Sequence, residues 1–206
     1  MPVPETVPPP IDFYFDFSSP FGYLAAKRID ALAAGHGREV AWRPILLGAV
    51  FKTTGSRPVV EVPLKRDYAR RDIERTARRF GLPFAWPSPF PFAALAASRA
   101  FYWLRDRDAA QATDLARAVY DAAFGAGRDM SSAEAVADVA AGLGIDGAEV
   151  LAAVQEQAVK DRLRAEVDAA MAGGVFGSPY IVVDGEPFWG VDHLDQVDRW
   201  LETGGW

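Results

Sequence analysis

Residues Ile11 to Phe17, "IDFYFDF", alternate apolar side chains with polar or amphipathic ones and run straight into "SSPFGYLA". Alternation of period two, rich in aromatic residues, predicts a strand. Ser19 then stands where a helix N-cap belongs, with Pro20 at the first helical position, where its missing N–H is not needed. The chain must therefore turn sharply from a strand into a helix. Phe21, Leu24, Ile29 and Leu32 recur at helical spacing, so the helix is read as Pro20 to Ala34, closed by Gly35-His36-Gly37. Glu39 to Leu47, "EVAWRPILL", reads as a second strand. Such a strand-helix-strand unit places its strands parallel, joined by a right-handed crossover.

Gly48 to Pro63 is broken by glycine, proline and Thr53-Thr54 and is read as a long loop of the kind that often carries function. Helical segments follow over Leu64–Phe80, Phe92–Arg107, Ala109–Phe124, Ser132–Gly142 and Gly147–Ala172, with Ser131 and Glu134 spaced as a capping box. Between the first two, Gly81 to Phe92 mixes prolines with aromatic residues and is either a packed connector or part of a binding wall. Tyr180–Val183 and Glu186–Trp189 flank Asp184-Gly185, a hairpin signature, and Asp192 is placed to cap a last helix ending near Leu201. The order is β-α-β, a helical block, then β-β-α, which is an α/β architecture with helices on both faces of the sheet.

Half of the 206 residues are apolar, enough for a substantial core, and the formal net charge of -6 offers no global field for nucleic acid or an anionic membrane. The absence of cysteine excludes disulfides, thiol nucleophiles and cysteine metal sites, and His36 and His193 lie far apart, so no metal is expected. The leader "MPVPETVPPP" lacks the charged and apolar regions of a signal peptide and is read as extended, with the protein expected to be cytoplasmic.

Ser19 is not the nucleophile of a catalytic triad, because no G-x-S-x-G elbow surrounds it and neither histidine has the context of a general base. A hydroxyl at a helix start can accept a cap hydrogen bond and still donate one, and helix N–H groups favour an anion. That combination suits holding another molecule's nucleophile. A second segment, "GVFGSPYIVVDGEPFWGVDHL" over Gly174–Leu194, sets Pro179 after a small residue at the start of a strand, where a cis peptide can occur.

With these two motifs at this separation and a helical block between them, the chain resembles the DsbA-like branch of the thioredoxin fold. That branch includes kappa-class glutathione transferases and, above all, the 2-hydroxychromene-2-carboxylate isomerases. The resemblance runs from Ile11 onward and implies a thioredoxin-like fold: a first half over 11–62, a helical insertion and return helix over 63–172, and a second half over 173–203. It implies glutathione as cofactor, with Ser19 activating its thiol and Ser178, before the cis-proline Pro179, pairing with its cysteinyl backbone. Trp189, Gly190, Val191 and Asp192 are expected to complete the glutathione site, Asp192 taking the ammonium, and Lys52 and Lys65 are candidates for a carboxylate.

The activity implied is cis-trans isomerisation of 2-hydroxychromene-2-carboxylate to trans-o-hydroxybenzylidenepyruvate by thiolate addition and elimination. A small aromatic oxo acid needs aromatic lining, for which Phe21, Tyr23 and Trp86, with Phe84 and Phe90, are candidates. His193 is a weaker candidate contact, Asp16 a residue that can fix the Ser19 turn, and Lys65–Asp72 a solvated helix face with Tyr68 inward. The alternatives are a kappa-like glutathione transferase or peroxidase acting on aromatic electrophiles, and a non-catalytic binding protein of the same fold. A homodimer is an expectation carried by the relatives alone.

Overall fold

The computed structural model describes residues 8–206, so most of the proline-rich leader lies outside the described residues. Strands β1 (Ile11–Phe15), β2 (Val40–Pro44), β3 (Tyr180–Val183) and β4 (Glu186–Trp189) form one sheet in the order β2-β1-β3-β4. β1 runs parallel to β2, Phe13 facing Trp42, and antiparallel to β3, Phe13 facing Ile181. A parallel pair cannot be joined by a hairpin, and helices α1 (Pro20–Ala26) and α2 (Ile29–Gly35) make the crossover. The antiparallel β3–β4 pair needs only Asp184-Gly185, both at positive φ as a primed turn requires. This is the thioredoxin-like fold, with helices inserted between β2 and β3.

The alternation in β1 sets the core. Ile11, Phe13 and Phe15 are fully buried on one face, and Phe15 meets Phe17, Trp42, Phe101 and Tyr120 at centroid distances of 5.1, 5.3, 6.1 and 5.6 Å. Each such ring buried from water contributes about 1.5–3 kcal/mol. The cluster therefore ties the sheet to α5 (Leu95–Arg105) and α6 (Ala109–Tyr120) of the insertion. The opposite face carries a smaller core of Ile45, Val50, Ala170, Val175 and Tyr180.

The structure departs from the sequence expectations where distant contacts decide. The stretch read as a loop from Gly48 holds α3 (Leu47–Thr54), closed by Gly55 in the left-handed region, while β2 stops at Pro44. Leu46 offers α3 no side-chain cap; the Leu47 N–H is instead met by the Asp16 carboxylate from the end of β1 at 2.6 Å. The helix expected over Pro20–Ala34 breaks after Ala26, where Lys27 pairs with Asp121 and the Arg28 guanidinium lies 4.5 Å over the Phe80 ring. Gly147–Ala172 divides into α8 (Gly147–Ala153) and α9 (Gln157–Ala172), with α7 (Ala133–Gly142) before them. Between them the Val154 carbonyl accepts from Arg99 Nη1.

Two caps also shift. Ser132, not Ser131, caps α7 by accepting from Ala135 N, which puts Glu134 out of register for a capping box. α10 (Leu194–Thr203) starts after a single 3-10 turn over Val191–His193, and Asp192 makes no cap bond to it. Among the described residues no helix is long and apolar enough to cross a membrane.

Candidate functional site

The site is built where β1 ends. Asp16 is almost fully buried, and one carboxylate oxygen accepts from the Ser18 N–H and the Ser18 hydroxyl, both at 2.7 Å, while the other accepts from Leu47 N–H. Its backbone is held as well: the N–H donates to Ser178 Oγ, and the carbonyl accepts from Tyr120 Oη, both at 2.9 Å. One residue thus locks together the β1–α1 turn, α3, the segment before β3, and α6 of the insertion. Burial pushes the Asp16 carboxyl above its ordinary range, against the downward pull of its three donors.

That turn sets Ser19 at the N-cap of α1, with φ -92° and ψ 112°, where its Oγ accepts from Gly22 N at 3.0 Å. The same hydroxyl donates to the Ser178 carbonyl oxygen, also at 3.0 Å. Ser19 and Ser178 are both buried, and the Ser178–Pro179 peptide is cis, as are Ser88–Pro89 and Phe90–Pro91. The Ser178 N–H makes no hydrogen bond among the described residues. α1 has only seven residues, Pro20 lacks an N–H and Gly22 N is already taken, so less of the local polarity comes from the helix start than the sequence suggested. The Ser19 hydroxyl carries correspondingly more.

Above Ser19 opens a cavity of about 1110 Å³. Of the residues singled out in the sequence, Ser19, Phe21, Lys65, Ser178, Pro179 and Trp189–Asp192 line it together, along with Phe90 and His193. Gly177 lies flat under the Trp189 indole, since a Cβ there would stand 2.8 Å from the ring's Cδ1. Trp189 in turn packs on Phe176 at 4.9 Å, giving the rim an aromatic edge.

Four expected site residues lie elsewhere, among them Phe84, which stacks on Phe124 at 6.0 Å outside the cavity lining. Tyr23 is fully buried on the inner face of α1, donates to the Pro83 carbonyl at 2.7 Å and packs against Phe124; burial pushes its phenol up to about 12. Trp86 donates to Glu74 under the Arg70 guanidinium, outside the cavity lining. Lys52 stays exposed on α3, while its neighbour Phe51 reaches the cavity. Tyr68, expected inward, is 65% exposed and lines the cavity mouth.

Sequence reasoning missed the basic wall. α4 (Lys65–Arg79), whose Lys65–Asp72 stretch reads as a solvated face, turns the expected Lys65 and also Arg75 and Arg79 to the cavity, joined by Arg28 and Arg57. Arg75 pairs with Asp72, but Arg28, Arg57, Lys65 and Arg79 have no ion-pair partner among the described residues. Four unpaired cations against the carboxylates of Asp192 and Asp195 in the same lining leave the cavity a positive excess that favours anions, in a chain with formal net charge -6. The spacing Tyr68, Asp72, Arg75, Arg79 along one helix face was the available signal.

Asp16 gives a test of this framework. In Asp16→Asn one acceptor oxygen becomes an NH₂ facing a donor, so a loss of about 2–3 kcal/mol is expected near neutral pH. A carboxyl whose pKa is raised on folding contributes stability that is complete below its unfolded value, near 3.8, and is lost as pH rises through the folded value. The native protein's unfolding free energy should therefore carry a downward slope with pH above that point that Asp16→Asn lacks. Identical slopes in urea titrations of the two proteins would refute it.

Comparison with known proteins bears on this arrangement. The chain is 32% identical over 193 residues to the 2-hydroxychromene-2-carboxylate isomerase of Sphingobium xenophagum, covering 93% of this chain and 97% of that one. It is 26% identical to glutathione S-transferase kappa 2 of Caenorhabditis elegans, over 93% of this chain and 91% of the relative. A solved 2-hydroxychromene-2-carboxylate isomerase structure superposes with a TM-score of 0.85 at 29% identity, covering 93% of this chain and 94% of the other. The DSBA-like thioredoxin domain matches residues 10–202, from the strand before the Ser19 turn to the last helix, and the chain belongs to that family.

Proposed function

We propose that this protein is a glutathione-dependent cis-trans isomerase that converts 2-hydroxychromene-2-carboxylate to trans-o-hydroxybenzylidenepyruvate. The observation that carries the reading is the Ser19 hydroxyl, held at the Ser178 carbonyl on the floor of a basic, aromatic-rimmed cavity in a chain without cysteine.

The residues present fit glutathione. Ser178 offers a backbone N–H without an acceptor and a carbonyl held only by a rotatable hydroxyl, so one residue of an extended peptide can exchange two hydrogen bonds with it. Lys65, Arg57, Arg28 and Arg79 suit the carboxylates of the tripeptide and of an oxo acid, and Asp192, with its side chain 82% exposed, suits the ammonium. Bound there, glutathione would supply a sulfur nucleophile that adds to the conjugated carbon and later leaves, so that the bond between can rotate and the cofactor is recovered.

The protein's part is electrostatic. Lowering a thiol from its reference pKa of about 8.5 by about two units takes roughly 2.7 kcal/mol of preferential thiolate stabilisation. A charge-assisted hydrogen bond from Ser19 supplies about 1.5–3 kcal/mol of this, and the unpaired cations, exposed and so screened by solvent and salt, add a smaller share. Phe21, Phe90 and Trp189 offer the flat apolar contact an aromatic substrate needs.

Purified protein given 2-hydroxychromene-2-carboxylate should form the trans product only when glutathione is added, with no fall in free thiol. Stoichiometric loss of thiol would replace this reading with the kappa-like transferase, which the similarity to the nematode protein favours next. No turnover with either class of substrate would overturn an enzymatic role.

A further inference from the structure

Ser19 has one hydroxyl proton, and in this structure it is spent on the Ser178 carbonyl at 3.0 Å, while its oxygen accepts from Gly22 N. A sulfur anion arriving beside Ser19 therefore finds a hydroxyl already donating elsewhere. Were the hydroxyl simply to rotate toward the sulfur, the Ser178 carbonyl, on a residue 9% exposed that lines the cavity, would lose its one protein donor. Giving up that hydrogen bond costs free energy, so a carbonyl and a thiolate compete for the same proton.

An extended peptide removes the competition. An amide N–H placed on the Ser178 carbonyl satisfies it and frees the hydroxyl, and the Ser178 N–H without a partner is positioned to take the same peptide's carbonyl in return. The framework keeps the exchange local. Ser178 Oγ accepts from Asp16 N–H, and the Asp16 carbonyl accepts from Tyr120 Oη and Ser19 N–H, so the backbone around the pair stays braced while the Ser19 hydroxyl changes acceptor.

We infer that the Ser178 carbonyl gates Ser19: the hydroxyl is released to a thiolate only when the ligand brings a backbone N–H to that carbonyl, which selects cysteinyl peptides over simple thiols. This rests on the glutathione reading and adds to it a specificity determinant that lies in the main chain, invisible to side-chain comparison. No proton is transferred between Ser19 and Ser178 in the exchange; the thiol proton goes to solvent, and Ser19 keeps its own while changing acceptor.

The test compares glutathione with an ester isostere in which the cysteinyl N–H is replaced by oxygen, binding of each being measured by calorimetry. The thiol of each bound ligand is titrated by thiolate ultraviolet absorbance. Bound glutathione should titrate about two units below free glutathione, while the bound ester should regain at least about one of those units, a tenfold weaker acid. Equal lowering of both would overturn the gate and leave the glutathione site standing. No lowering for glutathione itself would overturn the functional reading and the gate with it.

A second measurement covers an ester that does not bind. With an isotope-labelled Ser178 carbonyl followed by NMR, Ser19→Ala should shift the resonance as its hydrogen bond is lost, and added glutathione should restore it. Failure to restore, with glutathione shown to be bound, would also overturn the gate.

Discussion

On the proposed reading, Ser19→Ala is expected to lower glutathione-dependent turnover roughly 10²-fold at about pH 6 but only within about twofold at about pH 9, because a thiol two units less acidic regains its anion once the pH exceeds its reference value. The sign follows from which state the hydroxyl favours: it stabilises the anion, so its removal raises the bound thiol's pKa and acts where the native complex is ionised and the variant complex is not. The same substitution removes the α1 cap from Gly22 N and the donor to the Ser178 carbonyl, which together should cost about 1–3 kcal/mol of stability. Thermal unfolding measures that loss separately from the pH-rate profile. A uniform drop across the pH range would instead mean a misplaced site, and an unchanged profile would remove Ser19 from the chemistry.

Gly22→Ala should do more damage than any change to the cavity wall. An added Cβ would overlap the Tyr120 hydroxyl oxygen and stand 3.0 Å from Ser178 Oγ and 3.2 Å from Ser19 Cβ. Tyr120 cannot yield cheaply: its ring is fully buried among Phe15, Phe17, Tyr23 and Phe124, and its hydroxyl holds the Asp16 carbonyl. Overpacking and a lost buried hydrogen bond add to about 3 kcal/mol. Urea unfolding should show that loss, and on the proposed reading glutathione affinity should fall with it because Ser19 and Ser178 are displaced together. A loss under about 1 kcal/mol would show that the junction has slack that its geometry does not suggest. Gly22→Ala paired with Tyr120→Phe, which removes the clashing oxygen, should recover part of the packing cost.

These two positions differ in how they could be found. Ser19 announces itself, because Ser-Pro after an alternating strand is a local cap signal, and so does the Asp184-Gly185 hairpin. Gly22 does not, since nothing near it in the chain reveals that Tyr120 arrives 98 residues later to fill the space. α3 is similar: its first N–H is met by Asp16, 31 positions away, so its sequence lacks a cap and reads as loop. The aromatic candidates separate the same way. Phe21 and Tyr23 lie two apart on α1, yet one lines the cavity and the other is sealed against Phe124 and bonded to Pro83.

By itself the sequence determined the period-two strand, the capped turn at Ser19, the hairpin and the absence of a thiol, because each rests on interactions between residues a few positions apart. Only the tertiary structure decided that Ser19 donates to Ser178, that Tyr120 and Asp16 brace the pair, and that Arg28, Arg57 and Arg79 face the same cavity. Those pairings join segments up to 162 residues apart, and which face of a helix meets which neighbour is set by how the whole chain packs, not by the helix's own composition.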